Sequence, residues 1–240
     1  MFNFMRPLPQ ALALLAALNL PAFAENPLGI PAEYKLLYTQ DFSGPEAQKD
    51  FVYTDPAAWR KSEGEKPALE LVKQSKYEPP FRSPVNIAIL TGKAFGDFIL
   101  EADCLQTGKE YGHRDMCIFY GYQSPSKFYY THLATAADPN AHNCFIVNDA
   151  PRKSFASDVS KGVNWGLGIW RHVRLERRAS DGTIRVFFDD MTTPVMTAND
   201  KTFGAGAVGF GSFDDTGKVA NIRIWGASME ERPTVGLSTP

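Results

Sequence analysis

The sequence predicts an all-β chain folded as a two-sheet antiparallel sandwich. Two observations carry this expectation. The 240 residues include 17 Phe, 9 Tyr and 4 Trp beside 19 Gly and 17 Pro; aromatic side chains favour strands, and Gly and Pro punctuate tight turns. From residue 35 onward the chain is also a succession of short alternating runs separated by Gly, Pro, Asn and Asp, with helix-length amphipathic windows nearly absent.

Met1 to Ala24 reads as a secretory signal peptide: Arg6 supplies the charged start, Ala11 to Leu20 the apolar run, and Ala22-Phe23-Ala24 the small-x-small cleavage site. That run is shorter than the roughly 20 residues needed to span a bilayer. Removal of the segment and a periplasmic or secreted location are therefore expected, with no membrane span. Eleven strands are expected after it: Leu36 to Phe42, Ala68 to Val72, Val85 to Leu90, Asp97 to Leu105, Asp115 to Gln123, Lys127 to Ala134, Asn143 to Asn148, Trp170 to Arg177, Thr183 to Asp189, Ala207 to Phe213 and Val219 to Trp225. Short helical turns are expected near Pro45 to Asp50 and Pro56 to Ala58.

Alternation assigns the faces. Phe98, Leu100, Ala102 and Cys104 share one side of their strand and Glu101 and Asp103 the other, while Val173 and Leu175 oppose His172, Arg174 and Glu176. Such half-buried strands belong to antiparallel sheets. Ser180-Asp181-Gly182 supplies a turn that tolerates left-handed backbone ahead of Thr183 to Asp189. No linker interrupts the pattern, so residues 25–226 are read as one domain and Ala227 to Pro240 as a loose tail.

The chain has 25 Lys and Arg against 27 Asp and Glu, a net charge of -2. Loss of Arg6 with the leader makes it -3. Nothing there favours a nucleic-acid partner. Export places Cys104, Cys117 and Cys144 where disulfides persist. Three thiols allow at most one bridge, and burial as small hydrophobes is the expectation; were a bridge to form, Cys104 to Cys117 is the pair chosen.

Several runs in this order resemble a known superfamily: Gln40-Asp41-Phe42, Phe95-Gly96-Asp97-Phe98-Ile99-Leu100-Glu101, Trp170-Arg171-His172-Val173-Arg174-Leu175-Glu176, Gly182-Thr183-Ile184-Arg185-Val186-Phe187-Phe188-Asp189, Gly206 to Phe213 and Asn221-Ile222-Arg223-Ile224. Residues 35–226 are similar to the concanavalin A-like lectin and glucanase jelly rolls, and within them to the laminin-G-like and 3-keto-disaccharide hydrolase domains of exported bacterial proteins. The resemblance implies a jelly-roll β-sandwich whose concave sheet presents a glycan groove. It also marks a departure. Laminarinase-type members carry Glu-x-Asp-x-x-Glu, but the matching run here, Glu101-Ala102-Asp103-Cys104-Leu105-Gln106, ends in an amide that cannot donate the proton a retaining mechanism needs.

The residue types that suit sugars are concentrated in one stretch. Between Tyr111 and Tyr130 lie Tyr111, Phe119, Tyr120, Tyr122, Phe128, Tyr129 and Tyr130, with His113, Arg114 and Asp115 at the start and His132 just beyond. Aromatic faces take the C–H surfaces of a ring, and forked polar groups take its hydroxyls. His113, Asp115, His132 and Glu101 are accordingly the candidate acid–base residues, and Arg114, Tyr111, Tyr130, Arg174, His142 and Asn143 the candidate sugar contacts. The bland alternative is that the aromatics are core and that Glu101, Asp103, Arg174 and Glu176 form cross-strand ion pairs. Asp41 and Asp214, in the acidic stretches near the first and last strands, are candidate ligands for a structural calcium, with turn chemistry as the alternative. The expected partner is a carbohydrate or glycan, bound without turnover or cleaved at a glycosidic bond; an adhesion or protein-binding module is the third reading.

Overall fold

The structure is a computed structural model and describes residues 1, 29–234, 236 and 237. Apart from Met1, the expected signal peptide lies outside the described residues. In chain order the strands are β1 Lys35–Gln40, β2 Phe51–Tyr53, β3 Trp59–Ser62, β4 Ala68–Leu71, β5 Asn86–Leu90, β6 Lys93–Phe95, β7 Phe98–Gln106, β8 Asp115–Ser124 and β9 Lys127–Ala134. Then come β10 Asn143–Asn148, β11 Lys153–Ser154, β12 Ala156–Val159, β13 Arg171–Arg177, β14 Thr183–Phe188, β15 Met196–Asn199, β16 Ala207–Ser212, β17 Gly217–Gly226 and β18 Met229–Glu231. Each of the eleven expected strands forms within two residues of its expected bounds. The expected turns are 3-10 helices at Ala47–Asp50 and Pro56–Ala58, the second opened by Asp55, whose carboxylate accepts the Ala57 N–H at 3.0 Å.

Two large antiparallel sheets form the sandwich. The first runs β12-β15-β14-β13-β7-β17-β4-β3 with β1 also beside β17, and the second runs β11-β10-β9-β8-β16-β5-β2. Between them lie Leu100, Ala102, Cys104, Val173 and Leu175 from the first sheet and Met116, Ile118, Tyr120, Tyr129 and Leu133 from the second. The alternation read from β7 and β13 is thus realised, with Glu101, Asp103, His172 and Arg174 on the outer face.

Strands β8 and β9 behave differently, because both of their faces are buried. Cys117, Phe119, Tyr122, Phe128 and Tyr130 point away from the sandwich into a second apolar layer with Ile87, Ile89, Phe145, Val147 and Leu237, against which Tyr77 and Phe81 pack. This explains why the run from Met116 to Tyr122 is continuously apolar, as strands covered on both sides are. A backbone irregularity between Tyr120 and Ser124 accompanies it. Gly121 takes φ +56° there, and a Cβ at that position would stand 3.0 Å from the Tyr129 ring and 3.2 Å from the Arg177 guanidinium.

The three cysteines are buried, as expected, and free, so the contingent Cys104 to Cys117 bridge does not form. The strands carrying the pair are neighbours in sequence but not in space; β7 belongs to the first sheet and points Cys104 between the sheets, while β8 belongs to the second and points Cys117 outward from it. In the stretch read as a loose tail, Met229–Glu231 pairs with Lys93–Phe95.

The second apolar layer makes a stability test. Phe119 is fully buried and its ring contacts those of Phe128 and Tyr130, so Phe119→Ala should lower the unfolding free energy by about 3–5 kcal/mol. Urea denaturation followed by intrinsic fluorescence measures this. A loss below about 1 kcal/mol would mean that the layer is loosely packed.

Candidate functional site

At the end of the second sheet where β8 begins and β9 ends, a cavity of about 190 Å³ is lined by Arg82, Tyr111, His113, His132, Asn140, Arg152, Phe213 and Asp214. The loops before β5 and β8, strand β9 with the loop after it, and the loops after β10 and β16 meet there. A cavity of about 240 Å³ beside β6 is larger, but its lining includes Leu90, Ala94, Ala207 and Pro233, and its Arg232 is engaged by Glu230 and the Ala205 carbonyl. The smaller cavity gathers two arginines, two histidines and an exposed tyrosine, so the chemistry lies with it.

Its floor is built on Asp115. This carboxylate is fully buried; Oδ2 accepts the Phe213 N–H at 3.0 Å and the Cys117 thiol at 3.1 Å, and lies 3.1 Å from His132 Nε2, bent from hydrogen-bond alignment. The strand register puts Cys117 directly opposite His132, so both side chains share one face beside Asp115. His132 is fixed from behind: its Nδ1 accepts the His142 N–H at 3.3 Å, which leaves the ring proton of neutral His132 on Nε2, toward Asp115. His142 adopts φ +50°, and its own ring is held by the Ala134 N–H at 3.4 Å and by Ser160 Oγ at 3.0 Å. Burial and then the neighbouring His132 lower the His142 pKa to about 4, so it is neutral at physiological pH.

A second carboxylate, Asp215, accepts the Tyr111 hydroxyl at 2.9 Å and the Asp115 N–H at 3.0 Å. Burial and then the Asp115 charge raise its pKa to about 6. On the opposite wall, His113 Nε2 contacts Asp138 Oδ2 at 2.5 Å, and Asp138 also accepts the Asn140 N–H at 2.6 Å. The loop after β9 thereby sets His113 and Asn140 together. Arg152 completes the rim, with its guanidinium carbon 4.6 Å from the Phe145 centroid and 4.4 Å from that of Phe213. It donates to Tyr130 Oη at 2.9 Å, and its backbone N–H donates to the Arg82 carbonyl.

The sequence-predicted residues divide accordingly. Tyr111, His113, Asp115, His132 and Asp214 come together, and His142 and Tyr130 support the cavity from beneath rather than lining it. Arg114 turns inward, bonded to Gln106 and the Gly166 carbonyl, and Asn143 accepts the Ala156 N–H; neither lines the cavity. Of the seven aromatics in the stretch, Phe119, Tyr120, Tyr122, Phe128, Tyr129 and Tyr130 are buried at 0–1% exposure and Tyr111 alone is open, at 44%. Missed by the sequence reading were Arg82, Asn140, Arg152 and Phe213, whose only signal is that they are loop residues following apolar strands or Pro.

Glu101 and Arg174 sit on the other sheet. They pair across β7 and β13, with Arg174 Nη2 2.5 Å from Glu101 Oε1. Burial raises the Glu101 pKa, but bonds from His172 and Arg174 outweigh it and the net shift is down.

The two candidate calcium ligands do not meet. The first and last long strands do pair, but Gln40 lies opposite Ile222, so Asp41 comes beside Asn221 and Arg223 and accepts from Ser43. Asp214 is instead grouped with Asp115 and Asp215.

No protein-family model and no curated protein matches the sequence. Solved structures do. Carbohydrate-binding module CBM66 from Bacillus subtilis has a TM-score of 0.52 at 15% identity, over 72% of this chain and 93% of that one. The fold is an all-β two-sheet sandwich of the lectin-like jelly-roll kind. A Bacillus subtilis protein of unknown function with a galectin-like fold has a TM-score of 0.53 at 12% identity, over 83% of this chain and 100% of that one. The winged bean acidic lectin complexed with methyl-α-D-galactose has a TM-score of 0.53 at 12% identity, over 82% and 100%. At these identities the likeness establishes the fold alone.

The outer face of the first sheet yields a pH test. His172 stands 3.1 Å from Asp103 and 3.6 Å from Glu101, and bonds to these carboxylates raise its pKa to about 9. A raised histidine pKa contributes stability that is complete below about pH 6.5 and is lost as pH rises through 9. With its side chain 31% exposed, about 1–2 kcal/mol is expected after solvent screening. Melting curves from pH 6 to 10 should show this decline, and His172→Gln should flatten it.

Proposed function

We propose that the chain is an exported carbohydrate-binding β-sandwich domain and that its glycan site is the cavity of Tyr111, His113, His132, Asn140, Arg152 and Asp214. The observation that carries this is the convergence of an open aromatic face, Tyr111, with forked donors and a carboxylate in one cavity. A sugar ring needs both kinds of surface at once. The fold shared with carbohydrate-binding modules and lectins supports the reading, and the signal-like start of the sequence supports export. The site lies at the sheet end rather than across a concave aromatic face, because six of the expected aromatics are core.

One observation favours a second reading, cleavage of a glycosidic bond. His113 is held by Asp138 through Nε2 and is 48% exposed, leaving Nδ1 for proton transfer. His132 has both ring nitrogens directed inward and serves to build the floor.

Binding is tested by screening the chain without residues 1–24 on a glycan array and following hits by calorimetry. Tyr111→Ala should weaken a hit about tenfold or more, ~1.4 kcal/mol, while circular dichroism shows the variant still folded at the assay temperature. Product formation abolished by His113→Ala favours cleavage; saturable binding without product favours the binding module. Unchanged affinity in both variants would remove this cavity from consideration.

A further inference from the structure

We infer that the glycan taken by this cavity is acidic, a sugar bearing a carboxylate such as a uronate, and that Arg152 with Arg82 receives that carboxylate. The inference rests on the cavity being a glycan site.

Arginines elsewhere on the surface meet acids. Arg60 pairs with Glu70, Arg171 with Asp189, Arg185 with Glu176, Arg223 with Glu101 and Arg232 with Glu230. Arg152 and Arg82 do not: among the described residues no carboxylate lies within the 4.0 Å ion-pair distance of either guanidinium. Arg152 is also preorganised. Two aromatic rings hold its plane and Tyr130 Oη accepts from Nη1, so one of its five N–H groups is engaged. The two rings strip water from the cation without supplying charge. A planar bidentate acceptor restores what that desolvation removes, and carboxylate matches the fork. The Arg152 N–H bond to the Arg82 carbonyl joins the two segments whose arginines both line the cavity.

A carboxylate in the same lining limits the charge that can enter. Asp214 is exposed, and its Oδ1 lies 3.3 Å from the Tyr111 hydroxyl. It accepts from sugar hydroxyls and repels a second charge, so a monoanion directed at the arginines is favoured; of the monoanions, the planar carboxylate matches the guanidinium fork better than a tetrahedral sulfate ester. The arginines thus read the carboxylate and Asp214 the hydroxyls of the same ring.

The test is calorimetric titration of the chain without residues 1–24 against oligosaccharides ending in glucuronate or galacturonate, their neutral glucose and galactose counterparts, and sulfated forms of the latter. Carboxylated ligands should bind about 10-fold to 100-fold tighter than neutral ones, and Arg152→Gln should abolish the difference. Because Arg152 also packs, Arg82→Gln at an exposed position provides the second variant: it should reduce the preference several-fold with an unaltered melting curve. Equal binding of neutral and carboxylated ligands, insensitive to Arg152→Gln, would overturn the inference and leave the glycan site standing. Preference for the sulfated forms would overturn the carboxylate assignment. No binding of any of these ligands or of array glycans would overturn both readings.

Discussion

A buried negative charge organises this end of the molecule. Asp115 opens β8 with its carboxylate wholly out of water, a state that requires compensating donors because desolvating an isolated carboxylate costs several kcal/mol. Two donors and a neighbouring imidazole come from three places. The Phe213 N–H belongs to the segment after β16, the Cys117 thiol to the same strand, and His132 to β9. Satisfying the charge therefore fixes the mutual position of β8, β9 and the loop that carries Phe213, Asp214 and Asp215. Asp215 adds a constraint, since it accepts both the Asp115 N–H and the Tyr111 hydroxyl. The aromatic wall of the cavity is thereby tied to its acidic floor.

The same constraint explains how the histidines differ. His132 is clamped between Asp115 and the His142 backbone, and His142 is neutral and enclosed. Both stiffen the floor. His113 is attached from outside by Asp138, on a loop that reverses through the Asp138–Ala141 bridge. Of the three, it alone combines exposure with a carboxylate partner and a free ring nitrogen.

Much of the fold was legible because antiparallel strands with one packed face write their geometry into alternation. Phe98, Leu100, Ala102 and Cys104 could be assigned to the core without a structure. Strands β2, β3, β6, β11, β12, β15 and β18 were not, since runs of two to four residues hold at most one full alternation. The candidate site was legible in part. Tyr111, His113, Asp115 and His132 stood out as polar residues entering apolar strands. Arg114 misled because adjacent residues in a turn diverge: it is 2% exposed and bonded inward while His113 faces the cavity. Arg152 and Arg82 could not be found, as their significance lies in two rings and an absent acid, which are properties of three dimensions.

The contrast between the two polar surfaces decides where a ligand has something to gain. On the outer face of the first sheet, Glu101 meets Arg174, Arg223 and His172, while Asp103 meets His172, Lys66 and Asn221. Each of these carboxylates is already bonded within the chain, so a ligand there would exchange existing bonds for new ones at little net benefit. In the cavity at the sheet end the balance differs. Asp115 and Asp215 are bonded into the floor, but the guanidinium of Arg152 lies against two rings with most of its donors open. Its desolvation has been incurred in folding and is not repeated on binding. Affinity arises from such an imbalance rather than from the density of charge, which is greater on the face that is already satisfied.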